Sequence, residues 1–278
     1  MTVFDMDSAP AGEAWDCHAH LFGPYARYPL AAERSYTPPE ATEPDYLALL
    51  ARLGLGHGVL VQPSAYRSDY ALVLDTLKAR PQWRGVLVAS QASVTNMHAW
   101  RAGGIRGLRF SHRSGPAGNF PGSALIEDLL RLAPRMAEAG LHAELWTDCA
   151  ALPGIAQLLR ALPVPVVLDH MGGFDHRAGV AAPGFRALLE LLEAQQVWVK
   201  LCAYRNLVGA ADEDIGQVFL AQMCSANADQ LVWGSDWPHL NVAPQPDTSG
   251  LLTQFCRWAG DQALARRVLI DNPCRLYG

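Results

Sequence analysis

Three short segments, far apart in the chain, carry side chains able to do acid–base or metal chemistry. They are Asp16-Cys17-His18-Ala19-His20, Leu168-Asp169-His170-Met171-Gly172 and Trp233-Gly234-Ser235-Asp236-Trp237-Pro238-His239. Each sits at the end of a short apolar run of the kind that forms a β-strand. His18 and His20 are two residues apart, so on a strand both rings point to one side. If the three strand ends meet, His18, His20, His170 and Asp236 share one small volume. Three imidazoles and a carboxylate placed together suit hydrolysis, with or without a metal. Each fragment also has a plainer reading: surface histidines for His-x-His, a packing histidine for His170 taken alone, and a helix N-cap for Asp236 ahead of Pro238. A carboxylate ending an apolar strand must be paired or solvated, however, and a catalytic base meets that need.

Arginines supply a second type of clue. Arg109 ends the run Ile105-Arg106-Gly107-Leu108-Arg109, and Arg205 follows Trp198-Val199-Lys200-Leu201-Cys202. Guanidinium is a planar, permanently charged fork suited to carboxylates. Together the two point to an anionic substrate, with Arg113 as a third and less well placed candidate. Ser64, just after the second apolar run, is a hydrogen-bond donor or a loop cap. Cys17, between Asp16 and His18, is expected to face away from the histidines and to pack. No Gly-x-Ser-x-Gly elbow is present, which disfavours a serine hydrolase.

Eight apolar runs must position these groups: residues 15–20, 58–62, 85–89, 105–110, 141–146, 164–170, 197–201 and 230–235. Several are near-continuous Val/Leu runs, as in parallel strands covered on both faces. Helical patterns fill the gaps over 44–53 (stopped by Gly54), 69–79, 123–140, 153–162, 185–192, 215–223, 251–258 and 261–269. Ser123 is the expected cap of the fourth strand's helix, and Pro134 inside that helix predicts a kink. Alternation of this type predicts an α/β fold, a single-domain (β/α)8 TIM barrel, over a doubly wound open sheet. No Gly-x-Gly-x-x-Gly follows the first strand. The domain spans 1–278, with 1–14 as an N-terminal extension and 21–43 as an active-site loop or lid.

Half the residues are hydrophobic, ample for a full core at 278 residues. The formal net charge of −5 argues against a nucleic-acid or membrane partner. Six scattered cysteines without a Cys-x-x-Cys pair, and a first segment lacking an apolar stretch, predict a cytoplasmic protein. Nothing in the chain specifies an oligomeric state.

At these residues the chain resembles the amidohydrolase superfamily, and within it the branch of 2-pyrone-4,6-dicarboxylate lactonase (a hydrolase) and related lactonases. The matching pieces are Asp16-Cys17-His18-Ala19-His20-Leu21-Phe22-Gly23-Pro24, Val61-Gln62-Pro63-Ser64, Gly107-Leu108-Arg109-Phe110, the His170 and Asp236 segments, and Asn272-Pro273 to Leu276-Tyr277. The resemblance implies hydrolysis of a small carboxylated lactone, foremost 2-pyrone-4,6-dicarboxylate, in aromatic compound degradation. It makes Asp236 the general base, and His18, His20 and His170 the groups that polarise the lactone carbonyl and stabilise the oxyanion. Arg109 and Arg205 would grip substrate carboxylates. Ser64, Tyr36 and Trp146 map near the substrate, with Trp146 standing where family members carry tyrosine. Arg113 is the nearest match to a further family arginine.

In the wider superfamily the first-strand histidines, fifth- and sixth-strand histidines and the eighth-strand aspartate hold one or two divalent metals. Here the fourth strand ends in Arg109 rather than a bridging Lys or Glu. The fifth has His142 near its start and Trp146 at its end, so the usual histidine position is empty. That pattern resembles the metal-independent lactonase, and no cofactor is expected. If Zn or Mn does bind, His18, His20, His170 and Asp236 are the implied ligands. The alternatives are a metal-dependent sugar-acid or muconolactone lactonase, a related metal-dependent decarboxylase, and a non-catalytic barrel that binds small acids.

Overall fold

Apolar runs become strands where both faces can be covered, and that condition is met around a single sheet. The computed structural model describes residues 12–114, 118–212 and 214–278. Within them lie β1 (Trp15–Ala19), β2 (His57–Val61), β3 (Arg84–Leu87), β4 (Ile105–His112), β5 (His142–Thr147), β6 (Val166–Leu168), β7 (Val197–Leu201) and β8 (Leu231–Trp233). Neighbours pair in parallel and in chain order from β1 to β8. Just past β8 the ring closes: the Asp236 amide donates to the His18 carbonyl and the His20 amide to the Trp237 carbonyl, both at 2.8 Å. A doubly wound sheet would reverse its strand order at a central crevice, so the barrel expectation holds.

A helix follows each strand: α1 (Glu43–Leu53), α2 (Ala71–Ala79), α3 (Met97–Ala102), α4 (Ile126–Glu138), α5 (Leu152–Ala161), α6 (Pro183–Glu193), α7 (Ile215–Asn227) and α8 (Thr248–Ala259). Two further helices, α9 (Gln262–Arg266) and α10 (Asn272–Tyr277), end the chain. The short α3 has no counterpart among the expected helices. Its start is a local device: the Asn96 side chain accepts from the Ala99 amide at 3.0 Å. Ser123 does not cap α4. Its amide closes a turn on Phe120, and the Leu125 amide instead donates to Asp128 at 3.2 Å. Pro134 lies inside α4. The expected N-terminal extension falls largely on residues 1–11, outside the described residues.

Alternation sorts the strand side chains into two layers. Leu60, Leu87, Leu145, Leu168 and Val199 pack outward in the large core shared with the helices. Val59, Val61, Val86 and Val232 form an inner cluster with Trp15, Cys17 and Tyr277. Strict alternation breaks in β1, where Asp16 pairs with Gly58 but Ala19 with Leu60. The extra residue is a bulge, and it turns Cys17 into the inner layer rather than away from His18. Cys17 still packs, but on the side opposite to that expected. Tyr277 plugs the far end of the barrel, its hydroxyl donating to Glu144 Oε1 at 3.0 Å.

Candidate active site

The bulge and the closure of β1 on β8 bring the three fragments to one end of the barrel. His18 Nε2 lies 3.3 Å from His20 Nε2, and Asp236 Oδ1 lies 3.3 Å from His20 Nε2 and 3.7 Å from His18 Nε2. The His170 ring centre is 5.1 Å from that of His18. Asp16 holds this geometry from behind, accepting from the Ser235 amide (2.8 Å), the Ser235 hydroxyl (2.6 Å) and the Tyr46 hydroxyl (3.0 Å). Asp236 and His170 adopt φ of 59° and 50°, left-handed conformations that cost a non-glycine residue energy and are held by their surroundings.

Burial and charge set the protonation states. Burial pushes the Asp236 carboxyl up, but Arg205, then His170 and the His20 hydrogen bond, more than reverse this and hold it well below the usual carboxylate range. Burial, helped by the Lys200 ammonium and opposed by Asp169, brings His18 down to about 4. Burial likewise holds His170 well below the ordinary imidazole value. At neutral pH the site therefore presents a carboxylate beside neutral imidazoles at His18 and His170.

A cavity of about 710 Å³ opens over this cluster. His20, His170, Asp236, Arg109, Arg113, Arg205, Ser64, Tyr36 and Trp146 all line it, while His18 lies behind them, fully buried. Both principal arginines engage an aspartate through Nε: Arg109 with Asp169 Oδ2 at 2.9 Å, and Arg205 with Asp236 Oδ2. Arg113 pairs with Asp148 at 3.1 Å and stacks on Trp146, its guanidinium carbon 4.4 Å from the ring centre. Arg109 approaches the same indole at 5.4 Å. Tyr36 comes from the loop between β1 and α1, its hydroxyl 3.4 Å from Ser64 Oγ, and both side chains line the cavity.

Several residues of the site were not singled out from sequence. Tyr204 donates to Asp236 Oδ2 at 2.7 Å, and Asn206 donates to the His170 carbonyl at 2.7 Å. Below the histidines runs a buried ionic chain: Lys200 Nζ lies 2.7 Å from Glu144 Oε2, 3.7 Å from Asp169 Oδ1 and 3.2 Å from His18 Nδ1. Glu144 and Lys200 are fully buried in the middle of apolar strands. A lone charge in such a run demands a partner, and that demand was the available signal.

Could the cluster hold a divalent metal? His18, His20 and Asp236 form one grouping of convergent ligand atoms, and His170 joins Asp236 and Cys202 in another. Their spacing suits neighbouring ligands of a small ion. With Nε2 turned to a metal, His18 would carry its proton on Nδ1, where Asp169 Oδ1 lies at 3.3 Å to accept it and Lys200 Nζ lies at 3.2 Å. His18, His20, His170 and Asp236 would hold such an ion, which would supply polarisation of a carbonyl group.

Comparison with known proteins agrees with this architecture. Residues 15–278 match a family described as amidohydrolase. A 4-sulfomuconolactone hydrolase of Rhizobium radiobacter is 32% identical, covering 95% of this chain and 90% of that protein. A 2-pyrone-4,6-dicarboxylate hydrolase of Comamonas testosteroni is also 32% identical, covering 96% and 90%. The crystal structure of a Pseudomonas putida protein, solved as a candidate 2-pyrone-4,6-dicarboxylic acid hydrolase, superposes with a TM-score of 0.82 at 30% identity, covering 96% of this chain and 97% of that one.

Proposed function

The chain belongs to the amidohydrolase family, and on that premise we propose that it hydrolyses a small carboxylated lactone, with 2-pyrone-4,6-dicarboxylate the first candidate. The observation that carries this reading is the Asp236 carboxylate beside His20 and His170 on a cavity wall shared with three arginines. The two relatives at 32% identity both open lactones, according to their names.

In this reading the substrate carboxylates lie against Arg109 and Arg205, with Arg113 at the far wall, and the ring lies near Trp146, Tyr36 and Ser64. Asp236 takes a proton from water as its oxygen attacks the lactone carbonyl carbon. The charge that develops on the carbonyl oxygen is met by the His20 and His170 imidazoles on the cavity wall, with His18 packed behind them. Collapse breaks the ring C–O bond, and the proton on Asp236 passes to the departing ring oxygen. One water is consumed and one ring-opened acid is released, with Asp236 regenerated as carboxylate.

A second reading, 4-sulfomuconolactone hydrolysis, has equal support from identity. A sulfonate would be met by the same guanidinium groups. A cytoplasmic location is proposed on the six cysteines, all of them free. No helix among the described residues is long and apolar enough to cross a membrane.

The test is a panel of 2-pyrone-4,6-dicarboxylate, 4-sulfomuconolactone and an uncharged lactone, each followed by acid release. The expected result is turnover of at least one anionic lactone and kcat/KM at least a hundredfold lower for the uncharged ring. Preference for the uncharged ring would contradict the assignment.

A further inference from the structure

Three aromatic side chains from distant segments meet along one side of the cavity. Tyr36 comes from the loop between β1 and α1, Phe120 from the loop between β4 and α4, and Trp146 from the end of β5. The Phe120 ring centre lies 5.8 Å from that of Tyr36, with 59° between the planes, and 5.3 Å from that of Trp146, with 35° between them. Trp146 in turn lies 6.2 Å from the His170 ring. The rings form a continuous arc that runs from the first loop to the histidine cluster, and Phe120 is its middle member. All three are only half-buried, so ring surface stays open to the cavity. Phe120 is held from both sides in sequence. Asn119 Oδ1 accepts from the Ser111 hydroxyl at 2.6 Å and from the Arg113 amide at 3.1 Å, and the Phe120 carbonyl accepts from the Ser123 amide at 3.0 Å. A ring fixed in advance costs less to bind against than one that must be ordered by the ligand.

We propose that Phe120 is a specificity-determining residue: it completes an aromatic wall that selects flat, conjugated rings over saturated, puckered rings bearing the same anionic groups. The inference rests on the reading that this cavity takes an anionic ring, and it adds which ring. The arginines meet only the anionic groups, so they cannot tell a flat ring from a puckered one of equal charge. The arc can. A flat conjugated ring brings a whole face or edge against neighbouring aromatic rings, in the tilted and offset arrangements that such pairs prefer. A puckered ring touches the same wall through a few hydrogens and leaves gaps that forfeit contact. Arg113 lies over Trp146 at 4.4 Å, which sets a cation beside the arc, within reach of an anionic group carried by a ring against it.

Titration calorimetry with two unreactive dianions tests it. Benzene-1,3-dicarboxylate is flat and cis-cyclohexane-1,3-dicarboxylate is puckered, and the two share charge and substitution pattern. Wild type is expected to bind the flat ring about threefold to tenfold more tightly than the puckered one. In Phe120→Ala, and in Phe120→Leu, which keeps bulk but drops the flat face, that ratio is expected to fall by about twofold or more while affinity for the puckered ring holds. Equal binding of the two rings by wild type, binding of neither, or a ratio that survives in either variant would overturn the proposal. Neither dianion can be hydrolysed, so the readout is independent of turnover. A wild type that prefers the flat ring through Phe120 but opens no lactone would remove the function proposed above and leave the role of Phe120 standing.

Discussion

Asp236, the proposed base, is held by a guanidinium, a phenol and imidazoles, and the balance among them is the residue-scale question. Arg205 binds Asp236 through Nε while Nη1 reaches the Leu240 carbonyl at 3.1 Å, so one planar group ties the base to the loop after β8. Lysine keeps the charge but not the fork. Arg205→Lys is expected to lower kcat/KM by about tenfold to a hundredfold with little change in melting temperature, as steady-state kinetics and calorimetry would show. Titration gives a second expectation. His18 and His239 are both brought down to about 4, chiefly by burial, from an unfolded value near 6.5. Between those values the unfolded chain binds protons that the folded one refuses, so stability must fall as pH drops from about 6.5 toward 4. The depressed carboxylates Asp236, Asp169 and Glu144 act in the same direction lower down, as their unfolded forms protonate. The fully buried His18 alone is worth on the order of 3 kcal/mol. Melting temperature measured from pH 7 to 4.5 should decline steadily, and a flat profile would contradict these states. His18, His20, His170 and Asp236 were legible at this scale because their types are rare at strand ends. Tyr204 was not, because a tyrosine in a loop gives no hint of the carboxylate that it meets.

At the scale of elements, the site depends on how β1 meets β8. Ser235 Oγ donates to the buried Asp16 at 2.6 Å, and its loss strips a donor from a carboxyl that burial already pushes up. Ser235→Ala is expected to cost about 1–3 kcal/mol of stability, read by denaturant unfolding, with kcat reduced less than by any change at Asp236. The interior of the barrel gives a sharper case. A β-carbon at Gly107 would lie 2.5 Å from His142 Nε2, so Gly107→Ala must displace a buried ring. A loss of about 1–3 kcal/mol is expected from the same measurement. Short apolar runs revealed all eight strands, yet period-two alternation placed Cys17 wrongly. A bulge adds one residue without altering composition, and only the pairing of Asp16 with Gly58 and Ala19 with Leu60 exposes it. Helix α3 escaped notice because its six residues are too few to show a period. The cap of α4 was misplaced because Ser123 offers the right side chain but is committed to a turn.

Over the whole molecule, charge and shape act in opposition. The formal net charge is −5, which repels an anionic lactone at long range, so attraction must come from the arginines that line the cavity. Local attraction of this kind is screened by salt. KM for a dianionic lactone is expected to rise as ionic strength goes from about 0.01 to 0.5 M, while kcat holds, because the proposed chemistry lies in the buried cluster. Barrel architecture was legible from the alternation of eight apolar runs with helical patterns. The ionic chain through its centre was not, since Glu144 on β5 and Lys200 on β7 meet only across the intervening β6 once the sheet is assembled. The central claim is that Asp236 serves as the base of lactone hydrolysis, and it is tested most directly by following loss of ring absorbance of 2-pyrone-4,6-dicarboxylate with wild type and Asp236→Asn. Ring opening by wild type and a rate lower by about a hundredfold or more in a folded Asp236→Asn is the predicted result. Ring opening at an undiminished rate in Asp236→Asn would contradict it.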